Sequence, residues 1–179
     1  DPTSGAFTAT FTFSEDVTGF TVDDIAVGNG VASNLASTSA SIYTATITPS
    51  SDGAVTVDLA ADKAADAGGN GNTVATQLSV TNDETQPTVT ITSTSAGPVL
   101  GQFDVTITFS ESVTGFEASD LQLSNGSIAT GTFSGSGTTY TATINGSDQG
   151  TVTVDVAANV ATDGVGNGNT AATQFSIFN

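Results

Sequence analysis

The chain has 179 residues, with eighteen Asp and Glu against one Lys and no Arg, for a formal charge of −17. A phosphate backbone is held by cations that displace its counterions, so this charge excludes nucleic acid as a partner, and an anionic membrane surface with it. Cys, His, Met and Trp are absent, which removes disulfides, thiol chemistry, the usual general base and the commonest metal ligand.

Val, Ala, Ile and Phe supply most of the 37% hydrophobic content among many Thr, Ser, Gly and Asn, a composition suited to pleated, half-buried surfaces. In Phe7 to Phe13 the odd positions are apolar and the even ones are Thr, which predicts a strand with one face on a core and one in water. Tyr43, Ala45 and Ile47 predict a second such strand, Val55, Val57 and Leu59 a third, and Thr76 to Val80 the last of the first half. The Ala-rich stretch from Leu59 to Ala67 lacks a 3.6-residue period and runs into Gly68-Gly69-Asn70-Gly71, so no helix is expected there. Residues 81–87 (Thr-Asn-Asp-Glu-Thr-Gln-Pro) read as a short acidic linker. Thr88 to Thr92 then opens a second domain as its first strand. Phe103 to Phe109, Tyr140 to Ile144, Val152 to Val156 and Thr173 to Ile177 follow with the same alternation. Turn clusters of Gly, Asn, Asp and Ser separate them.

The chain says nearly the same thing twice. Phe13-Ser14-Glu15 returns 96 positions later as Phe109-Ser110-Glu111, and Val17-Thr18-Gly19-Phe20 as Val113-Thr114-Gly115-Phe116. After one inserted residue Tyr43 to Ile47 returns as Tyr140 to Ile144, and Gly69-Asn70-Gly71-Asn72 as Gly166-Asn167-Gly168-Asn169. A period this long is a whole small domain. Six or seven short strands per copy predict an all-β fold of two tandem immunoglobulin-like β-sandwich domains, 1–82 and 83–179. Only Asp1 to Ser4 and the following Gly5-Ala6 precede the Phe7 strand, so the first domain is expected to lack its opening strand and to expose an unpaired edge. The chain reads as an excerpt of something longer, with a preceding segment or a neighbouring chain filling that edge.

Several acids recur. Glu15 and Glu111 continue the inward phase of an apolar strand, where a carboxylate must be paired, hydrogen-bonded or metal-bound. In a sandwich the loop holding Glu111 and Asp120 lies at the same end as the loop holding Asp163, Asn167 and Asn169. The linker, with Asp83 and Glu84, arrives there too. Oxygen donors without nitrogen or sulfur suit Ca²⁺, which takes six to eight of them. The first copy's Glu15, Asp24, Asp66, Asn70 and Asn72 form the corresponding, weaker candidate. The competing reading is that both Asp-to-Asn loops are turns whose side chains bond their own backbone. Asp58 and Asp155 alternate with Val and are expected to face water. Asn125-Gly126-Ser127 and Asn145-Gly146-Ser147 read as turns.

The stretches from Phe11 to Phe20, Tyr43 to Ile47, Val55 to Ala60 and Ala64 to Thr73, with their copies from Ile107 to Phe116, Tyr140 to Ile144, Val152 to Ala157 and Ala161 to Thr170, resemble the bacterial immunoglobulin-like repeats of large cell-surface and secreted proteins, including the gliding-motility adhesins of Bacteroidetes. The resemblance implies a non-enzymatic extracellular stalk or adhesive fibre built with neighbouring repeats, its junctions stiffened by calcium. Two alternatives stand beside it: a filament subunit assembling by strand donation at the open edge, and a carbohydrate or host-surface binding module, for which Phe20 and Phe116, each after a Gly in a loop, are the best aromatic candidates, though both are expected to plug the sandwich end.

Overall fold

A computed structural model describes residues 2–99 and 101–179. The chain divides into two compact units, Asp1–Glu84 and Thr85–Asn179. Each is a pair of antiparallel sheets, and each is built from the Thr-apolar alternation of its strands.

The first unit contains β1 (Phe7–Thr12), β2 (Ile25–Gly28), β3 (Gly30–Ser39), β4 (Ile42–Pro49), β5 (Gly53–Leu59) and β6 (Leu78–Asn82). One sheet has the order β1-β4-β3 and the other β2-β5-β6. The β1–β4 register sets Phe7 opposite Ile47, Ala9 opposite Ala45 and Phe11 opposite Tyr43. Every apolar residue of β1 therefore meets an apolar partner on the same face, while Thr8, Thr10 and Thr12 stay on the outer face, as a period of two requires. Ile47, Val55, Val57 and Leu59 form the core with Val17, Phe20 and Ile25.

The second unit contains β7 (Val89–Thr92), β8 (Gln102–Val113), β9 (Leu121–Ser124), β10 (Gly126–Ile128), β11 (Ser134–Gly146), β12 (Thr151–Val156) and β13 (Phe175–Phe178). Its sheets run β10-β11-β8-β7 and β13-β12-β9. Phe103, Val105, Ile107 and Phe109 of β8 are all buried, packed with Ile144, Val152, Val154 and Val156. Burying side chains of this size stabilises the fold by about 1.5–3 kcal/mol each. The chain passes from one sheet to the other at Asn29 and Asn125, which adopt φ of +55° and +54°; Asn tolerates this left-handed backbone better than other side-chain-bearing residues. In each unit a tyrosine locks the sandwich end, Tyr43 Oη donating to the Val17 carbonyl at 3.1 Å and Tyr140 Oη to that of Val113 at 3.4 Å.

The two units differ in one strand. β8 is flanked on both sides, by β11 and β7, whereas its counterpart β1 has β4 on one side and stands at the edge of its sheet. Among the described residues, β1 therefore has the open edge that was expected, and β8 does not. The alternation did not disclose β2, β9, β3 or β10, and the final strands begin at Leu78 and Phe175, two residues later than the pattern suggested.

Candidate metal centre

The loops at one end of the second unit are held together by their own backbone. Thr114 and Thr162 exchange two N–H···O=C bonds of 2.8 and 3.0 Å, which fastens the loop after β8 to the loop after β12. Thr18 and Ala65 do the same in the first unit. The predicted convergence of these two loops is thus made by a pair of main-chain bonds within each copy.

Within the second loop, Asp163 is 6% exposed. Its Oδ1 accepts from the backbone N–H groups of Val165, Gly166 and Asn167 at 2.8, 2.7 and 2.9 Å, and its Oδ2 from the Asn167 side-chain amide at 2.8 Å. Burial pushes this carboxyl up, but the amide of Asn167 and the three backbone donors together outweigh it and hold Asp163 below the ordinary carboxylate range. Asp66, half-buried in the first copy, is likewise lowered, chiefly by the side chain and then the backbone N–H of Asn70. Both carboxylates organise a turn.

The Gly-Asn-Gly-Asn motif has a part for every residue. Gly166 carries φ of +97° at the turn, where a Cβ would be strained. Gly168 faces Asn159 so closely that a Cβ would collide with its side chain, as one on Gly71 would with Asp62. Asn167 returns to Asp163. Asn169 is fully buried; its Oδ1 accepts from Val160 and Ala161 N–H at 3.0 and 2.8 Å, and its Nδ2 donates to the carbonyls of Ala157 and Thr170 at 2.9 and 2.8 Å. Asn72 makes the same four bonds to Lys63, Ala64, Ala60 and Thr73.

These geometries redistribute the expected ligands. Both lone pairs of the Asn72 and Asn169 amide oxygens are taken by backbone donors, so these residues are braces of the loop and leave the ligand set. Asp24 and Asp120 have a structural part of their own. Each caps a 3-10 turn (Val22–Asp24 and Ala118–Asp120): Asp24 Oδ2 accepts from the N–H and hydroxyl of Thr21, and Asp120 Oδ2 from Glu117 N–H. Hydrogen bonds from Thr21 are the main reason the Asp24 carboxyl is lowered, with Lys63 assisting from 3.6 Å. Asn70 and Asn167 are bonded to the Asp of their own loop. Asp83 and Glu84 close the first unit, Asp83 N–H donating to the Thr3 carbonyl at 2.9 Å and Glu84 N–H to Asp52 at 2.7 Å.

What remains together in the second unit is a pair. Glu111 is the single acid on the inward face of β8, half-buried between buried Phe109 and Val113, and it presents a carboxylate oxygen within 4.8 Å of one on Asp163. Because Asp163 Oδ1 is saturated, Oδ2 is the atom with a lone pair left for a cation. In the first unit Glu15 is exposed and Asp66 half-buried, and among the described residues the first copy's acids do not form a group of three. Phe20 and Phe116 are buried, each in edge-to-face contact with the neighbouring tyrosine at 5.2 and 5.0 Å, so neither offers a face to a sugar. Asp58 and Asp155 accept from Gln77 and Gln174 across the strand pair.

Asn82, which the sequence places among the linker's oxygen donors, is instead one of a pair of structural amides with Asn179. Asn82, 1% exposed, accepts from Gly5 N–H and donates to the Ser51 carbonyl, and Asn179 does the same with Gly101 and Asp148. Their recurrence one repeat apart was the available signal.

The sequence profile of the bacterial Ig-like domain matches residues 2–81 and again 83–178. The chain belongs to the bacterial Ig-like domain family. No curated protein matches it. Among solved structures it is similar to InvD of Yersinia pseudotuberculosis, at 17% identity and a TM-score of 0.40 over 98% of this chain and 52% of that one. It is also similar to SGBP-B of the Bacteroides ovatus mixed-linkage glucan utilization locus, solved with a mixed-linkage heptasaccharide, at 17% identity and a TM-score of 0.27 over 99% of this chain and 42% of that one. The chain thus spans about half the length of these two proteins or less.

Proposed function

We propose that this chain is a non-enzymatic structural repeat of an extracellular bacterial surface protein, forming part of a stalk or adhesive fibre, and that a calcium ion at Glu111 and Asp163 stiffens the junction at the entrance to the second unit. The observation that carries the structural part is the tandem itself: the same bacterial Ig-like domain occurs twice in immediate succession, which supplies length and valency.

The calcium part rests on charge. Two carboxylates with oxygens within 4.8 Å of each other repel by on the order of 3 kcal/mol at an effective dielectric of 20. The chain has one lysine to set against eighteen acids, and that lysine is paired with Asp24. A hard dication is the natural counter-charge, and the oxygen donors favour Ca²⁺. Water completes the shell around these two carboxylates. Depression of the Asp163 carboxyl supports the non-catalytic reading, since a group held in its ionised form is a poor proton carrier at neutral pH.

Thermal unfolding in EDTA, then in millimolar Ca²⁺ with Mg²⁺ as control, tests the proposal. At a hundredfold excess over Kd a single site adds about 2.7 kcal/mol, or roughly 11–22 °C in the midpoint of a unit this size. Glu111→Gln removes the gain. A midpoint indifferent to Ca²⁺ would leave a spacer without an ion.

A further inference from the structure

The chain enters the second unit at one end of its strands and leaves it at the other. At the entry, Thr170 N–H donates to the Pro87 carbonyl, Ser110 N–H to the Thr88 carbonyl and Thr88 N–H to Ser110 Oγ, each at 2.9 Å. At the exit, Asn179 N–H donates to the Gly150 carbonyl at 2.8 Å, and its carbonyl accepts from Gly150 N–H at 3.1 Å. The Asn179 side chain accepts from Gly101 N–H and donates to the Asp148 carbonyl, while Phe178 beside it accepts from Val99 N–H. β8 and β12 both start at this exit end, next to Gly101 and Gly150. Their antiparallel partners β7 and β13 therefore run the same way, from entry to exit, on opposite sheets.

A pull between entry and exit thus acts along both strands. Because Thr88 bonds Ser110, the alternation of an antiparallel ladder turns the main-chain groups of Thr88, Thr90 and Thr92 toward β8. By the same alternation the Asn179–Gly150 pair turns Phe175, Ile177 and Asn179 toward β12. Pulling along the strand strains these bonds together, whereas lifting a strand from one end opens them one after another. Sliding also drags the buried Pro87, Val89 and Ile177 out of the core.

We propose that the second unit is a tension-bearing element, holding by shear of β7 along β8 and of β13 along β12, with its two ends pinned by the Pro87–Thr170 bond and by Asn179. The first unit marks the exit amide as a place through which the chain continues: Asn82 closes β6 with the corresponding side-chain bonds, to Gly5 N–H and the Ser51 carbonyl, and the linker follows it directly. Resistance to a pull is therefore directional, high from entry to exit and low where a strand is lifted from one end. Its use rests on the stalk reading; the directionality itself does not, and a parent protein found away from the cell surface would end that reading and leave the force difference in place.

The test is single-molecule pulling of the 179-residue chain in two directions. The sequence has no Cys, so introduced thiols define the points of attachment. One variant carries Gln86→Cys and a Cys appended after Asn179, which pulls from entry to exit. The other carries Ala96→Cys and the same appended Cys, which pulls β7 from its Thr92 end and β13 from its Phe178 end. Gln86 and Ala96 are both exposed. At one pulling speed the first pair should unfold the unit at about twofold or more the force of the second, since forced unfolding follows the barrier along the direction pulled. Thr90→Pro takes one N–H out of the β7–β8 ladder; it should lower the entry-to-exit force and leave the other unchanged, with amide spectra reporting that the unit is folded. The comparison of the two directions decides the matter even if Thr90→Pro does not fold. Equal forces in the two directions, a greater force in the second, or an entry-to-exit force that a folded Thr90→Pro does not lower would each overturn the proposal.

Discussion

Asn169→Ala isolates the part of the loop architecture that does not depend on any ion. The side chain is fully buried and makes four hydrogen bonds, two as acceptor and two as donor. Each such bond contributes about 1 kcal/mol net, so the substitution costs the second unit about 4 kcal/mol, with the stranded backbone groups of Val160, Ala161, Ala157 and Thr170 as the main source. Domains of this size have total stabilities of about 5–15 kcal/mol, and the midpoint should fall by roughly 16 °C or more. Asn72→Ala removes the same four bonds from a half-buried position of the first unit, where water replaces part of what is lost, so its cost should be about half. Calorimetric unfolding of both variants, with the two units assigned by NMR, measures the comparison. If Asn169→Ala lowers its unit's midpoint no more than Asn72→Ala lowers the other, burial is not what makes this amide matter and the reasoning fails.

Other consequences follow the same geometry. Asp163 has a folded-state pKa below its unfolded value, so the stability it contributes is present above the unfolded value of about 3.9 and is lost as pH falls through the folded one. The difference in unfolding free energy between the native chain and Asp163→Asn should therefore shrink below about pH 4; a constant difference from pH 7 to pH 2 would contradict it. Gly168→Ala should destabilise the second unit by about 1–3 kcal/mol, because the new methyl meets Asn159, and urea unfolding reads this directly. Tyr140→Phe should cost about 1 kcal/mol through the lost bond to Val113, with Tyr43→Phe a near match in the first unit.

The strands were legible because a period of two leaves little freedom. In Phe103 to Phe109 a one-residue slip would turn four apolar side chains outward, and the structure buries all four. β2 and β9 were not legible: Ile-Ala-Val-Gly and Leu-Gln-Leu-Ser are four residues each, too short for alternation to stand out. The open edge of β1 was legible because residues 1–6 do not carry the alternation of Thr88 to Thr92.

The site was half legible. Recurrence singled out Asp163 and Glu111, and the inward phase of β8 placed Glu111 between Phe109 and Val113. It did not separate ligands from braces, because the partners that decide this are backbone groups, which carry no sequence signature. Asn169 and Asn72 look like oxygen donors in the sequence and act as four-bond struts. Asp24 did have a readable signal: three residues after Thr21, it has the spacing of a capping pair.

The most direct measurement for the calcium-bound repeat is a Ca²⁺ titration followed by amide NMR on the whole chain. The account predicts saturable, Ca²⁺-selective shifts centred on Glu111 and on Asp163 to Asn167, absent in Glu111→Gln. Weak shifts spread over all exposed acids, or none in that region, would contradict it.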